Sequence, residues 1–411
     1  MSGFIPRRRY LMYRGELRDI ARAWLRGRVA DPRPVRQFEQ ALSAYHGIAH
    51  VRTVNSGRIG LLVLLEALGL RPGDEILVPA YTLKALIELL QHAGYVPVPV
   101  DIDPQTFNLD PQAARDRIGP ATRAILATHL FGRGGDVEGL ARLARRSGLL
   151  LVEDCAQALG TRIGGRPVGT FGDGAILSFD LLKPINTFGG GAVLTPHREV
   201  DARVGDALRN LAQPLFPLAR RLALGLAEHA VLVTPAARLV ATAFADPRVG
   251  RVVERAYRSM QDRARPTASR YFGLQAQIGL RLLDSLDARV AVRRDMARKL
   301  AALLGERAAA SVERGENGYF FVRLTDGSAD GLRRDLLAAG IDAGIGSEVA
   351  DYCGDLGRAA ECPVARDVAA HAIQLPLHEG LTDTHLRRIA DVCAGRLRAP
   401  ALRAARPLDG D

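Results

Sequence analysis

The sequence predicts an α/β protein: a mostly parallel central sheet covered by helices, followed by a smaller C-terminal α+β domain. Three observations carry that reading. Between residue 48 and about residue 200, strand-like apolar runs alternate with helical stretches across short loops, as in successive βαβ units. The run LLLVEDC ends in Glu153 and Asp154, a buried strand that delivers a carboxylate at its C-terminal end, where parallel sheets bind ligands. Beyond residue 267 the rhythm changes to a long helix, the strand YFFVRL, the helix GLRRDLLAAGI and a closing strand and helix, which suits a small mixed domain.

With 411 residues there is room for a large domain and a smaller partner. A content of 47% hydrophobic and 25% charged residues is that of a soluble globular protein. No run approaches the ~18 uncharged apolar residues that mark a membrane span. Cys155, Cys353, Cys362 and Cys393 show no Cys-x-x-Cys spacing and suit a reducing cytoplasm. The N-terminus is basic but lacks the apolar core of a signal peptide. A net charge of +11 invites a nucleic-acid reading, which scattered arginines, no helix-turn-helix or zinc spacing and 5% aromatics argue against. The same charge suits a polyanionic small substrate, such as a nucleotide diphosphate, or an anionic membrane face.

Taken in order, residues 1–47 read as a helical segment, with GELRDIARAWLRG and PVRQFEQALSAYHG each ended by glycine. Trp24, the only tryptophan, is expected in the apolar face of the first helix. Residues 48–266 form the large domain. There HVRTVNSGRIGLLVLLEALGL is strand, turn and helix, and Asn55-Ser56-Gly57 reads either as a plain βα turn or as a phosphate cup of free backbone N–H groups. The pattern repeats in DEILVPAYTLKALIELL, in YVPVPVDIDPQTFNLDP and in ATRAILATHLFGRGGD with its following helix. His129 reads as a buried histidine stabilising its turn, in preference to a catalytic base. GAILSFD is a further strand, followed by Lys183 and the glycine run Gly189-Gly190-Gly191. Residues 214–262 are apolar, punctuated by arginine and broken by proline, with Leu218, Leu222 and Leu226 at helical spacing. They read either as a helical hairpin packed on the domain or at a subunit interface, or as an amphipathic patch meeting a membrane or a lipid-linked substrate. Residues 267–398 form the small domain and 399–411 a loose tail.

Lys183 stands out on chemical grounds. Of 56 Lys and Arg residues only three are lysines: Lys84, Lys183 and Lys299. Arginine stays protonated and cannot form a Schiff base, whereas lysine can once its pKa is lowered. Lys183 lies just after Ser178-Phe179 and just before the glycines. Lys84 and Lys299 read as surface lysines.

These pieces together resemble the DegT/StrS family of pyridoxal-phosphate (PLP) sugar aminotransferases. The resemblance rests on Glu153-Asp154-Cys155-Ala156-Gln157-Ala158, on Leu177-Ser178-Phe179 followed by Lys183, on the glycine run, on VDIDPQTFNLDP and THLFGRGGD, and on the LPLHEGLT segment near the C-terminus. It covers nearly the whole chain and implies the type I aminotransferase fold, a homodimer, and PLP as cofactor with no metal. It implies Lys183 and Asp154 as the catalytic pair. Lys183 binds the cofactor and moves protons, while Asp154 keeps the pyridine nitrogen protonated. Ser56, Gly57 and Ser178 hold the phosphate, and Tyr81 with Gln157 covers the ring. The implied reaction transfers an amino group from glutamate or glutamine to a keto sugar, most naturally a nucleotide-linked deoxyhexose. A cyclitol or lipid-linked ketone, or a non-catalytic PLP-binding role, are the alternatives. Relatives with histidine at the lysine position act as dehydratases, and Lys183 argues against that. Arg270 and Gln275 fall on matching family residues. Two positions depart from the pattern: Arg58 replaces a small hydroxyl residue in the phosphate turn, and Ala268 replaces an asparagine that reaches the partner's phosphate. Arg58 either replaces that missing donor or points to solvent or to the substrate's phosphates.

Overall fold

The structure, a computed structural model, describes residues 3–9, 12–181, 183–232, 234, 268–305, 315–357 and 361–398. Two helices lead in, α1 (Glu16–Leu25) and α2 (Pro32–His46). Helix α2 begins where Asp31 accepts a hydrogen bond from the Arg33 amide and proline fills the first turn, and it ends at left-handed Gly47. Helix α1 buries Glu16, Ile20 and Ala23. Trp24 is thereby rotated about 100° off the buried stripe and is 39% exposed, a correction to the sequence expectation.

Burying Glu16 has a consequence for stability. One of its carboxylate oxygens accepts from the Tyr13 amide and the other has no partner among the described residues. Burial pushes its pKa up to about 7. The unfolded chain therefore gives up this proton at lower pH than the native state, and stability is lost as pH rises from the ordinary carboxylate range through 7. E16Q is expected to raise the unfolding temperature at pH 8, by about 2–3 kcal/mol of stability, and to change nothing at pH 4. Thermal melts at the two pH values check this; an equal gain at both would place the cause elsewhere.

The sheet is built from β1 (His50–Val54), β2 (Glu75–Pro79), β4 (Val96–Val100), β5 (Thr122–Thr128), β6 (Leu150–Asp154), β9 (Gly174–Ser178) and β10 (Gly191–Thr195). The intervening β3 (Tyr81–Thr82), β7 (Arg162–Ile163) and β8 (Arg166–Pro167) are short ribbons outside it. The order is β1-β10-β9-β6-β5-β2-β4, and only β10 runs against the others. That reversal follows from loop length. The described residues of 179–190 contain no helix, and a parallel return needs a crossover of a dozen or more residues, usually helical. Helices α3 (Gly57–Ala67), α4 (Lys84–His92), α5 (Pro111–Arg115), α6 (Val137–Ser147) and α7 (Arg198–Arg209) connect and cover the strands.

Helix α8 (Leu215–Leu232) opens the 214–262 segment, whose residues from 235 on lie outside those described. Its Leu218 and Leu222 are buried in a cluster with Phe179, Ile185, Phe188 and Tyr271. Among the described residues no helix is long and apolar enough to cross a membrane. Helices α9 (Gly273–Asp284) and α10 (Leu286–Leu303) lead to the small domain. It contains β11 (Phe321–Leu324), α11 (Ala329–Ala338), β12 (Gly344–Ile345), β13 (Asp351–Tyr352), α12 (Pro363–His371), β14 (Ala372–Leu375) and α13 (Asp383–Cys393). Its sheet, β11-β14-β12, is antiparallel throughout.

The segment read as residues 1–47 divides in the structure. Helices α1 and α2 pack against α9, while Ile5 exchanges backbone hydrogen bonds with Gly340 and Asp342 of the small domain. All four cysteines are free and buried.

Candidate active site

Strand register assembles one edge of the sheet. Thr128 of β5 lies opposite Asp154 of β6, and Asp154 opposite Ile176 of β9. Ser178, at the end of β9, lies opposite Gly191, and Gly191 opposite Val54 of β1. A bridge between Ser56 and Gly190 continues the line past the strand end. Residues scattered over more than a hundred positions of sequence thus meet along one row.

Strand pleating separates the acidic pair, since neighbouring residues face opposite sides. Glu153 is fully buried and committed: its oxygens accept from the amides of Gly169 (2.7 Å), Phe171 (2.6 Å) and Gly172 (3.0 Å), and lie 3.0 Å from His129 Nε2. Glu153 is therefore a clasp for the 169–172 turn. With Nε2 donating to it, His129 stands as a structural histidine, although its ring also lines the pocket. Among the described residues Asp154 accepts one hydrogen bond, from the Ala156 amide to Oδ1 (2.9 Å), and Oδ2 has no partner. Burial pushes its pKa up, opposed by that amide and by the charges of Lys183 and His129.

The pocket in front of Asp154 is walled by Thr82, Leu83, Thr128, His129 and Gln157. The hydroxyls of Thr82 and Thr128 are buried without a hydrogen-bond partner among the described residues. Gln157 accepts the Phe131 amide (2.8 Å), which pins Phe131 at a left-handed φ of 60° and shapes the turn after His129. Tyr81 is not in this wall. It is fully buried in β3, edge-on to Phe107 and Phe131, and paired through its backbone with Tyr352 of the small domain. A ring at that strand position is taken up by the domain contact, and its neighbour Thr82 faces the pocket instead.

At the other end of the row, Ser56 caps α3 without spending its side chain on a cap hydrogen bond. A Cβ on Gly57 would lie 3.1 Å from the Leu177 carbonyl and 3.3 Å from Ser178 Cβ, so glycine is what lets the turn approach Ser178. Gly189 and Gly190 have φ of 108° and 113°, and Gln275 donates to the carbonyls of Thr187 (3.0 Å) and Gly189 (2.8 Å), holding the glycine run. Arg270 is exposed, and Arg58 is partly exposed with no hydrogen bond or ion pair among the described residues.

Lys183 occupies a turn just after β9, its amide bonded to the Asp180 carbonyl (3.0 Å). It keeps some exposed surface and opens onto a cleft shared with Arg8, Arg9, Tyr319, Gln374 and His378. Burial lowers its ammonium pKa, and Arg8 adds to this; the carboxylates of Asp154 and Asp180 pull the other way. His378 stays neutral: burial and the Arg293 charge push it down to about 4, it lies 3.1 Å from the Pro6 carbonyl, and it accepts from the Gly380 amide. Sequence reasoning missed this N-terminal arm, Thr82 and Thr128.

A seven-stranded sheet with one reversed strand, closed off by a small antiparallel domain, defines a protein of the type I PLP-dependent aminotransferase fold. The chain belongs to the DegT/DnrJ/EryC1/StrS aminotransferase family, which matches residues 15–213 and 223–393. It is similar to an L-glutamine:2-deoxy-scyllo-inosose aminotransferase of Micromonospora echinospora, 44% identical over 137 residues, 33% of each chain. It is also similar to a GDP-perosamine synthase of Caulobacter vibrioides, 41% identical over 143 residues, 35% of this chain and 38% of that one. The matched stretches thus span only about a third of these relatives' lengths. A crystal structure of DesI in the presence of its TDP-sugar product superposes with a TM-score of 0.73, covering 95% of this chain and 92% of that one at 26% identity.

PLP, the cofactor this fold implies, fits the residues present. A free carboxylate oxygen, two orphaned hydroxyls, a glycine turn that a Cβ would fill and a lysine of lowered pKa suit a flat polar aldehyde with a phosphate tail.

Proposed function

We propose that the chain is a PLP-dependent aminotransferase that moves an amino group from glutamate or glutamine to a keto sugar carried on a nucleotide diphosphate. The observation that supports it most is the sheet-edge row, with Asp154 and Lys183 acting on each other's charge and Ser56, Gly57 and Ser178 at its far end. When bound, PLP supplies an electron-accepting ring that stabilises negative charge beside the transferred nitrogen. Lys183 would hold it through Nζ, Asp154 Oδ2 would face the ring nitrogen, and Ser56, Gly57 and Ser178 would take the phosphate. Gln157 and His129 would wall the ring. A lowered pKa lets Lys183 Nζ, once released, accept a proton from the donor's Cα and return one when the keto substrate is aminated.

The cleft beside Lys183 supports a substrate bearing phosphates. Arg7 is neutralised by Glu348 (2.6 Å) and Arg293 by Glu379 (2.7 Å), whereas Arg9 has no ion pair among the described residues. Arg8 reaches the same cleft and donates to Gln374 (3.3 Å) and to the Glu348 carbonyl. The unpaired charge of Arg9 in this cleft favours a diphosphate over a neutral cyclitol, the second reading, which the inosose aminotransferase likeness keeps in view. The protein works as a homodimer in a reducing compartment in this reading. Exposed Leu215, Phe216 and Leu224 on α8, and cysteines that are all free, support it.

The test is a panel of nucleotide-linked keto sugars and a cyclitol ketone, each with glutamate or glutamine, with amino product read by mass. At least one nucleotide-linked substrate is expected to turn over, with a KM that rises with salt. Turnover of the cyclitol alone would overturn the substrate assignment, and no spectral change of the PLP-loaded protein with any amino donor would overturn the enzyme.

A further inference from the structure

We propose that α8 completes the cofactor's phosphate site from within the same chain, Arg221 and Arg58 closing on the phosphate as two guanidinium forks. The proposal rests on the PLP reading above and adds a residue that the family likeness does not supply. Arg221 falls in residues 214–222, between the two family-matched stretches.

The geometry is specific. Helix α8 lies directly on the loop that carries Lys183 and the glycine run. A Cβ on Gly225 would come within 2.8 Å of Phe188 and 3.0 Å of Leu181. From this seat Arg221 reaches back over the phosphate turn. Its Nη1 donates to the Asn55 carbonyl at 3.4 Å, and a Cβ on Gly189 would lie 2.6 Å from the same nitrogen. The guanidinium therefore lies over the junction of Asn55, Ser56 and the glycine run, the far end of the row that holds Ser178. Arg58, on the first turn of α3, acts on Arg221 as a like charge.

Two cations brought together, one of them largely withdrawn from water, are unfavourable unless an anion joins them. Burial lowers the Arg221 pKa, and Arg58 adds to this; only Asp180 opposes them. Neither arginine forms an ion pair with a carboxylate among the described residues. The first turn of α3 adds N–H groups that a helix start leaves without an intrahelical acceptor, and the positive end of a helix dipole. A phosphate monoester dianion accepts from two forks at once and answers all of these groups. The departures at Arg58 and Ala268 then have a common sense. Charge supplied in cis by α3 and α8 stands where relatives use a donor from across the dimer.

The test compares the apo-protein's affinity for PLP and for pyridoxal, which lacks the phosphate, in wild type, R221A, R221K and R58A. R221A is expected to weaken PLP by about tenfold or more while leaving pyridoxal binding within twofold. R221K should recover part of the loss and R58A should resemble R221A. Unchanged PLP affinity in R221A would overturn the proposal, as would a rise confined to the sugar substrate's KM, which would assign Arg221 to the substrate's phosphates. Equal weakening of PLP and pyridoxal would also overturn it, because a general loosening of α8 would explain that. If wild-type protein binds neither compound, the PLP reading itself fails, an outcome plainly different from the others.

Discussion

K183A is expected to abolish the visible absorbance of the PLP-loaded protein and to lower transamination by more than roughly 10⁴-fold, since it removes both the covalent anchor and the proton carrier. K183R should fail almost as badly, because it keeps the positive charge and loses the titratable amine. The other lysines provide the control. Lys84 is half-exposed and paired with Glu88 (3.5 Å), and Lys299 with Asp295 (3.2 Å) and Asp383 (3.6 Å). Both are surface ion pairs of a kind that contributes little. K84A and K299A should leave spectrum and turnover unchanged. Borohydride reduction followed by peptide mapping reads the attachment point directly. An adduct on either of the other two lysines would overturn the site.

That Lys183 could be singled out from sequence reflects a chemical contrast rather than a structural pattern: in a chain that uses arginine nearly everywhere, a lysine between Ser-Phe and a glycine run is conspicuous. The parallel sheet was legible for a related reason. Apolar runs and helical stretches alternate, and LLLVEDC ends where its carboxylate must emerge. Residue chemistry alone does not say which carboxylate faces the site, since Glu153 and Asp154 are alike; the family resemblance names Asp154, and in the structure the pleat and the amides of the 169–172 turn commit Glu153 to the other side. Trp24 misled because an amphipathic stripe can be displaced by one residue without changing the pattern's period. Tyr81 misled because the contact that removes it from the pocket is made with Tyr352, far along the chain.

Long-range docking explains the other omissions. The arm at residues 3–9 has no periodicity, and its place is set by a bridge to Ile341 and by His378, more than three hundred positions away. Arg221 reads in sequence as one of several arginines between leucines. Only the packing of Leu218 and Leu222 into the cluster around Phe179 and Phe188 turns that side of α8 toward the phosphate turn.

D154N is expected to bind PLP within about tenfold of wild type while turning over roughly 10²–10³-fold more slowly. Binding survives because the phosphate cup and Lys183 remain, and because an amide at this position can still hydrogen-bond a ring nitrogen. Turnover falls because a neutral amide does not hold a proton on that nitrogen. Burial raises the Asp154 pKa, against the Ala156 amide and the charges of Lys183 and His129; a protonated ring nitrogen opposite Oδ2 would add a further cation and favour the ionised carboxylate. The electrostatic argument can be separated from mere shape with D154A and a PLP analogue methylated on the ring nitrogen. That analogue carries a permanent positive charge and fills the space the shortened side chain leaves. If Asp154 acts by keeping the ring charged, the analogue should restore much of the D154A turnover. Rescue of neither binding nor turnover would mean that Asp154 shapes the pocket, and that the charge on the ring is governed elsewhere.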